Sequence, residues 1–279
     1  MTTQRAMQFL ELSESRIFAR YESDIAGEFY AAASGNIVTY LKKAPGKSSD
    51  IEDSLGVYLL DKGDCVLAVA DGMGGAACGT EASRIAVQAL MDAITASGHS
   101  ETGYRETILT ALETANQAVL GLGVGAGTTV AIAEISQGGI RPYHVGDSEV
   151  LVVGQRGKVK LQTISHSPVS YAVEAGMLDE QEAIHHDERH LISNYLGAGD
   201  MRIEIGSGIK LARHDTVLLS SDGLFDNLHL EEIIEIIRKG NLRNAATQLI
   251  TLLNERMSGT NSKYPSKPDD AGFILYRGS

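Results

Sequence analysis

Two apolar runs of the sequence end in an aspartate followed by a glycine, a pattern that could form half of a cation site. Residues 66–70 lead into Asp71 and Gly72, and residues 217–221 lead into Asp222. A carboxylate at a strand end, followed by a turn of the backbone, can offer a side-chain oxygen and a carbonyl oxygen to a hard cation. An Asp-Gly pair after a strand is also an ordinary turn. The recurrence of the pair is what favours metal binding.

Other carboxylates stand just before strand-like runs. Asp53 precedes the apolar residues 55–60, and Asp269 and Asp270 precede residues 273–276. If these strands run antiparallel, strand starts and strand ends lie on the same edge of a sheet. We therefore expect the carboxylates to converge on one edge, which would be strongly anionic without a bound cation.

Size and composition predict one globular domain over residues 1–279. With 279 residues, of which 43% are hydrophobic, the chain can bury a large core. No apolar stretch approaches the roughly 20 residues that cross a bilayer, and the N-terminus lacks the apolar run of a secretory signal. We therefore expect a cytoplasmic protein, with Cys65 and Cys78 as free thiols.

The formal net charge of −12 argues against nucleic acid or an anionic membrane surface as a partner, because both attract basic patches. It does not exclude an anionic substrate. Bound divalent cations can invert the local potential of a carboxylate-rich site.

Strand-like runs cluster with one another and helical segments come in pairs, which favours an α+β fold over an alternating parallel one. Tight connections at residues 145–149 and 154–157 require antiparallel neighbours. The predicted strands are 16–21, 36–41, 57–60, 65–70, 128–135, 140–145, 149–153, 158–163, 216–220 and 272–276. The predicted helices are 80–97, 105–120, 169–176, 179–185, 230–239 and 242–257.

Two other patterns have ordinary structural explanations. The glycines of residues 121–126 fit a dinucleotide-binding pattern, but that motif needs a strand before it and a helix after it. Here the order is reversed, which favours a flexible connection. His185, His186 and His190 do not have the spacing of zinc proteases, so a solvated, charged helix end is the preferred interpretation.

Single histidines and serines near strand ends are also candidates for chemistry. His144 and His166 are interpreted as hydrogen-bonding residues, and His166 is placed behind the carboxylates because its segment must pass near their edge. No serine or cysteine has the context of a nucleophile elbow. Ser148 is interpreted as a turn residue beside Asp147.

Seven ordered motifs resemble the metal-dependent protein phosphatases of the PP2C type, the PPM family, and are most similar to its compact bacterial members. The motifs are residues 47–53, 69–75, 127–129, 145–148, 165–167, 221–227 and 268–270. The resemblance spans about residues 36–276 and implies a four-layer α-β-β-α sandwich, in which two antiparallel sheets are flanked by helix pairs. Residues 1–35 extend beyond the motifs, as an N-terminal extension or as first strands.

The resemblance implies a site for two Mn²⁺ or Mg²⁺ ions, with room for a third. By resemblance, the metal-binding residues are Glu52, Asp53, Asp71, Gly72, Asp147, Asp222 and Asp269. In this scheme Asp71 bridges the two ions, and Asp222 and Asp269 complete one shell. These three aspartates would be catalytic through a water or hydroxide that bridges the ions and attacks phosphorus. All-oxygen ligands fit hard divalent ions better than zinc.

The remaining implied ligands have less central places. Glu52 or Asp53 serves the second ion, and Gly72 supplies a carbonyl oxygen. Asp147 matches the carboxylate that holds a third, weaker ion in bacterial relatives, beneath a mobile flap that would run over about residues 168–196.

The chain departs from the family pattern at four positions that bear on the substrate. The phosphate-binding arginine is replaced by Ser48 beside Lys47, so Lys47, Lys42 or the metal ions must contact the phosphate. The other departures are Ile51 in place of asparagine, Glu149 in place of arginine, and Met73 in place of the histidine found in many eukaryotic relatives. The resemblance therefore implies an intact metal site with altered substrate contacts.

The leading hypothesis is a Mn²⁺- or Mg²⁺-dependent phosphatase of phosphoserine and phosphothreonine in proteins, which opposes a cytoplasmic serine/threonine kinase. Two alternatives remain open. The chain could hydrolyse a small phosphorylated metabolite, or it could be a catalytically weak binding module that keeps the fold and regulates a partner. The missing arginine supports the module, whereas the complete set Asp71, Asp222 and Asp269 argues against it.

Overall fold

The computed structural model describes residues 10–19, 25–32, 35–98, 103–123, 125–179, 182–183, 186–259 and 263–278. Its strands are β1 (Leu10–Glu11), β2 (Arg16–Phe18), β3 (Ile25–Ala32), β4 (Gly35–Lys42), β5 (Asp53–Leu59), β6 (Cys65–Met73), β7 (Gly127–Thr128), β8 (Val130–Ser136), β9 (Gly139–Val145), β10 (Glu149–Val153), β11 (Val159–Gln162), β12 (Glu204–Ile205), β13 (Ile209–Lys210), β14 (Thr216–Ser220) and β15 (Ala271–Gly278). Its helices are α1 (Ala76–Ser97), α2 (Arg105–Leu122), α3 (Pro168–Glu174), α4 (Asp222–Phe225), α5 (Leu230–Ile237) and α6 (Leu242–Met257).

The strands form two sheets. One sheet has the order β1-β3-β4-β15-β14-β10-β11, and the other has the order β12-β9-β8-β6-β5-β2, with β13 beside β9 and β7 beside β6. Every pairing is antiparallel except β1 with β3. The connection at residues 154–157 joins the antiparallel neighbours β10 and β11, as predicted. The pairing predicted across residues 145–149 was wrong, because that connection passes from β9 in one sheet to β10 in the other.

Alternate residues of the central strands face two different cores. On β6, Leu67 and Val69 belong to the core between the sheets, whereas Val66, Ala68 and Ala70 belong to the core beneath α1 and α2. Because successive side chains of a strand point to opposite faces, a continuous apolar run marks a strand that is buried on both sides.

A third core lies between the other sheet and helices α5 and α6. It contains Leu218 and Leu275 from the strands and Ile233 and Leu249 from the helices. With the two cores already described, this gives the layer order helices, sheet, sheet, helices. The expected α+β fold is confirmed.

Most predicted elements are present with small differences at their ends. The strand predicted from residue 57 begins at Asp53, and the helix predicted from residue 80 begins at Ala76. Gly79 disfavours helix in the sequence, but a side chain there would collide with Glu52, so the glycine permits a close approach. The predicted helix 179–185 lies largely outside the described residues.

Strand β3 was missed by the sequence analysis, and it pairs with β4 beside the expected strand at residues 36–41. The glycine-rich residues 121–126 end α2, with Gly123 at a φ of 67°, and lead into β7, as expected for a connection. Cys65 and Cys78 are free thiols, as predicted. Among the described helices, none is both long enough and apolar enough to cross a membrane.

Candidate active site

The aspartates that begin β5 and end the apolar part of β6 lie opposite each other. Asp53 pairs with Asp71 across the two strands, a position in which Cα atoms are about 4.5–5.5 Å apart. The amide of Gly72 donates to the carbonyl of Glu52 at 3.1 Å. Four of the predicted ligands therefore lie on one sheet edge because of strand register alone.

A sharp turn follows these strand ends. Gly74 and Gly75 have φ values of 106° and 87°, which residues with a side chain rarely adopt. These two glycines lead from β6 directly into α1. A Cβ atom on Gly72 would collide with the carbonyl oxygen of Gly79 and approach that of Glu52. The glycines thus let α1 pack against the strand end that carries Asp71.

The second sheet brings its own carboxylates to the same edge. Asp222 follows β14 and begins α4, and Asp269 and Asp270 directly precede β15. Strands β14 and β15 are antiparallel neighbours, so the end of one lies beside the start of the other. The carboxylates of both pairs of strands lie close enough to repel Asp71. They therefore converge, but from two sheets and not from the edge of one sheet as expected.

Ser221 joins the two groups of carboxylates. Its hydroxyl donates to Asp53 Oδ2 at 2.7 Å and accepts from the amide of Gly272 at 3.1 Å. Ser221 is completely buried and Asp53 is 1% exposed. Because a buried carboxylate that loses a hydrogen bond is costly, this contact holds the sheets in register at the site.

A Ser221→Ala substitution is expected to lower the free energy of unfolding by about 1–3 kcal/mol, because it leaves a buried carboxylate and an amide without their shared partner. Urea denaturation of the purified protein measures this change. Ser207→Ala, at an exposed position, is the matched control and should change stability by less than about 0.5 kcal/mol. Equal effects of the two substitutions would contradict the structural role of Ser221.

Asp147 approaches the cluster from the turn between β9 and β10. The adjacent Ser148 hydroxyl lies 2.7 Å from Thr129 Oγ1, and the amide of Thr129 donates to the carbonyl of Asp71 at 2.8 Å. Thr128 Oγ1 donates to the same carbonyl at 2.8 Å. The threonine pair thus fixes the backbone of Asp71, and through Ser148 it links Asp71 to the turn of Asp147.

The electrostatics of the cluster are those of crowded carboxylates. Burial raises the pKa of Asp71 well above its ordinary value, and Asp53, Asp222, Asp147 and Asp269 raise it further by repulsion. Burial and then repulsion by Asp222 raise the pKa of Asp147 to about 8. Groups of this kind are common at catalytic and metal-binding sites.

Two lysines lie among the carboxylates. Lys267 Nζ binds Asp222, and it lies 2.8 Å from Asp226 Oδ2 and 3.2 Å from Asp269 Oδ2. Burial lowers the pKa of Lys267, but Asp222 and Asp226 together raise it far above its ordinary value. The ammonium therefore stays charged and sits where the side chains of two predicted ligands meet.

Lys47 makes the second such contact. Its Nζ lies 2.6 Å from Glu52 Oε2 and 2.6 Å from Asp270 Oδ2. Asp270 is 3% exposed and also accepts from the amides of Ala44 and Glu52. Lys47 is thus held beside Glu52 by partly buried hydrogen bonds.

The other basic candidates lie differently. Lys42 Nζ donates to Asn254 Oδ1 on α6 at 2.6 Å, and Ser48 is exposed on the loop before β5. Of the groups considered for phosphate contact, Lys47 is therefore the one whose ammonium contacts a predicted metal ligand, Glu52.

The oxygen atoms of the cluster are suited to bind hard divalent cations. Asp53 Oδ1 and Asp222 Oδ1 are buried and have no hydrogen-bond partner among the residues described. Buried carboxylate oxygens without partners are costly, and a cation coordinated by them removes that cost. Carboxylate and carbonyl oxygens are the ligands that Mn²⁺ and Mg²⁺ prefer.

The raised pKa values of Asp71 and Asp147 predict how the stability of the metal-free protein depends on pH. A carboxyl group whose pKa is raised by folding stabilises the folded protein at low pH, where the group is protonated. For Asp147 this stabilisation is fully present below the unfolded pKa of 3.8 and is lost as the pH rises through the folded pKa of about 8. In chelator, Tm should therefore fall between about pH 6 and about pH 8, and Mn²⁺ should shrink that fall. Differential scanning calorimetry tests this, and a Tm that rises over the same range would contradict it.

His144 and His166 form a second polar cluster with Glu204. The imidazole centroids are 4.4 Å apart, and possible ligand atoms of the three residues lie within 4.8 Å of one another. However, His166 Nδ1 accepts from the amide of Gly146 at 3.0 Å and lies 2.8 Å from Asn194 Nδ2. The proton is therefore on Nε2, which faces Glu204 at 3.1 Å, so these contacts favour a hydrogen-bonded chain over a metal site.

His166 lies behind the carboxylates, in keeping with its predicted place. Its ring contacts Gly146, the residue before Asp147, and its carbonyl accepts from Ser193 at 2.8 Å. His186 and His190 lie in a turn and not on one helix face, while His185 is outside the described residues.

Sequence reasoning missed two parts of this site. One is Lys267, which stands only two positions before Asp269. Its position beside Asp269 and Asp270 in the sequence could have indicated that it lies near the carboxylates. Ser221 was recognised as part of a motif but not as the link to Asp53, because that contact joins residues 168 positions apart.

Comparison with known proteins agrees with the site. Residues 46–257 match the family model for protein phosphatase 2C. The chain belongs to the protein phosphatase 2C family. This confirms the predicted resemblance, and the enzyme class expected from the sequence, a protein serine/threonine phosphatase, is that of the family.

Bacterial relatives are similar over most of their length. A protein phosphatase 2C-type protein of Streptococcus pyogenes is 30% identical over 218 residues, which are 75% of this chain and 88% of that protein. Protein phosphatase PhpP of Streptococcus pneumoniae is 31% identical over 208 residues, 72% of this chain and 83% of PhpP.

Solved structures show the same fold. The serine/threonine phosphatase of S. agalactiae superposes with a TM-score of 0.73 at 27% identity, covering 87% of this chain and 99% of that one. The catalytic domain of the phosphatase PstP, solved with two manganese ions, has a TM-score of 0.70 at 23% identity, covering 87% and 97%. The four-layer sandwich expected from the resemblance agrees with these structures.

Proposed function

We propose that this protein hydrolyses phosphoserine and phosphothreonine in proteins, with Mn²⁺ or Mg²⁺ bound at the carboxylate cluster, and that it opposes a serine/threonine kinase in the cytoplasm. The observation that carries the proposal is the convergence of Asp53, Asp71, Asp222 and Asp269 from two sheets, with buried carboxylate oxygens that lack partners among the described residues. Membership of the protein phosphatase 2C family supports the reaction.

Each residue has a proposed role in holding the ions. Asp71 and the carbonyl of Gly72 lie at the centre, with Asp222 and Asp269 on one side. Glu52 and Asp53 serve the other side, and Asp147 offers a place for a third ion. When bound, two such ions activate water for attack on phosphorus and neutralise charge on the phosphoryl oxygens.

The chain itself supplies orientation and charge. The ammonium of Lys47 offers a cation to the phosphate, since Glu52, one of its two carboxylate partners, would attract it less once shared with a metal ion. Ser221 and the Thr129–Ser148 pair keep Asp53 and Asp71 in fixed positions. The rigid frame matters because in-line attack depends on accurate placement of the reacting groups.

Residues 168–196 are proposed to form a flap beside Asp147. Its far end is fixed to the strands by the paired backbone hydrogen bonds of Thr128 and Leu196, at 3.0 and 2.8 Å. Asn194 also contacts His166 behind the turn of Asp147. These contacts support a flap that lies beside the turn carrying the proposed third site.

Turnover of an aryl phosphate and of a phosphothreonine peptide, each with Mn²⁺ and with chelator, tests the proposal. We expect hydrolysis of both substrates with Mn²⁺ and of neither with chelator. Turnover of the aryl ester without the peptide would instead favour a small phosphorylated metabolite. The absence of turnover with Mn²⁺ and with Mg²⁺ would favour a binding module and contradict the proposed activity.

A further inference from the structure

A groove of about 830 Å³ lies beside the carboxylate cluster, between α3 and the first turn of α5. Its apolar lining includes Val173, Phe225, Leu228 and Leu230. A groove of this size can hold several side chains of a ligand. It is outside the set of predicted metal ligands, none of which lines it.

Two residues that line the groove are close in the chain to residues of the carboxylate cluster. Phe225 lines it and is followed by Asp226, whose carboxylate contacts Lys267. Glu149 lines it two residues after Asp147. A polypeptide whose phosphorylated side chain reaches the carboxylate cluster can therefore place its neighbouring residues in the groove.

The groove is lined by acidic side chains without lysine or arginine among the described lining residues. Glu149, Glu174 and Glu231 line it, and within the described part of the chain none of them forms an ion pair. Glu232 also lines it, but Arg256 neutralises this carboxylate at 2.6 Å. An arginine or lysine from a ligand would supply the missing charge.

Glu149 is the carboxylate for which such a partner matters most. Its side chain is partly buried, and it accepts a hydrogen bond from Gln162 Nε2 at 3.0 Å. A partly desolvated carboxylate gains more from a cation than an exposed one does, because the interaction is less screened.

We propose that this groove binds the polypeptide segment beside the phosphorylated residue and selects segments that combine an arginine or lysine with an apolar side chain. The proposal rests on the proposed function. The apolar side chain packs against Phe225, Leu228 and Leu230, while the cation meets Glu149 and Glu231. The net charge of −12 assists approach but cannot by itself produce selection at these positions.

Matched phosphothreonine peptides test the proposal by their values of kcat/KM with Mn²⁺. The first peptide carries alanines and a leucine beside the phosphothreonine. In the second peptide one alanine is replaced by arginine, and in the third the same alanine is replaced by glutamate. Each replacement is made once before and once after the phosphothreonine. We expect the arginine peptide to exceed the alanine peptide by about tenfold and the glutamate peptide to be the poorest. Glu149→Gln and Glu231→Gln should each reduce the ratio of arginine to alanine peptide, whereas Glu113→Gln, at an exposed position on α2, should preserve it.

A second measurement separates failure of the groove from failure of the proposed function. Unphosphorylated versions of the peptides are labelled, and their Kd values are measured by fluorescence anisotropy in chelator, where no turnover is needed. Preference for arginine in binding without peptide hydrolysis would support the groove and contradict the proposed function. Peptide hydrolysis with equal kcat/KM for all peptides, or an arginine preference that Glu113→Gln lowers as much as Glu149→Gln does, would overturn the groove proposal.

Discussion

An Asp71→Asn variant is expected to hydrolyse a phosphothreonine peptide at least about 1,000-fold more slowly than the unchanged protein at saturating Mn²⁺. Asp71 lies opposite Asp53 in the strand register, and its pKa is raised by four neighbouring aspartates, so it is the most central carboxylate of the cluster. Asparagine keeps the shape of the side chain but removes the charge that two cations would share.

The same variant provides its own test of folding. Because it removes one of several mutually repelling carboxylates, it should unfold in chelator at a Tm equal to or above that of the unchanged protein. Asp50→Asn, at an exposed position just before the site, is the matched control and should retain activity. If Asp71→Asn retained more than about a third of the activity, Asp71 would not hold the catalytic ions.

A Lys267→Met variant is expected to bind Mn²⁺ about tenfold more tightly, or more, than the unchanged protein. The ammonium of Lys267 contacts Asp222, Asp226 and Asp269, so an ion at Asp222 and Asp269 competes with a tethered cation for the same oxygens. Removing the ammonium removes that competition. Isothermal titration calorimetry on metal-stripped protein measures the change.

The cost of the substitution should appear in the metal-free protein. Without Lys267 the carboxylates lose their internal counter-ion, so the Tm in chelator should fall, while Mn²⁺ should restore it. Lys210→Met, on the exposed strand β13, is the control and should change neither quantity. Unchanged or weaker Mn²⁺ binding by Lys267→Met would show that the lysine supports the ligand geometry and does not compete with the ion.

The fold and the place of the site could be predicted because both depend on local patterns. Apolar runs that end in Asp-Gly identified β6 and β14, and short turns required antiparallel neighbours. These two features predict that the start of one strand lies beside the end of its neighbour, as Asp53 lies beside Asp71. The meeting of Asp71 with Asp222 depends on how the two sheets stack, which the local patterns do not show. The helix pairs followed from apolar periodicity, which is strong in long segments such as α2.

The parts that could not be predicted depend on contacts between distant residues. Lys267 and Lys47 are ordinary loop lysines in the sequence, and their ion pairs exist only because β15 lies beside β4 and β14. The link from Ser221 to Asp53 crosses between the sheets in the same way. Strand β3 was missed because residues 25–32 mix glycine and glutamate with aromatic residues and show no clear alternation.

The proposed activity depends on two metal ions bound at the carboxylate cluster. Diffraction from crystals soaked in Mn²⁺, measured at the manganese absorption edge, tests it most directly. We predict two anomalous peaks about 3.5–4 Å apart, with Asp71 between them and Asp222 and Asp269 beside one of them. The claim would be contradicted by peaks that lie only at His144, His166 and Glu204, or by a cluster that shows no anomalous peak at saturating Mn²⁺.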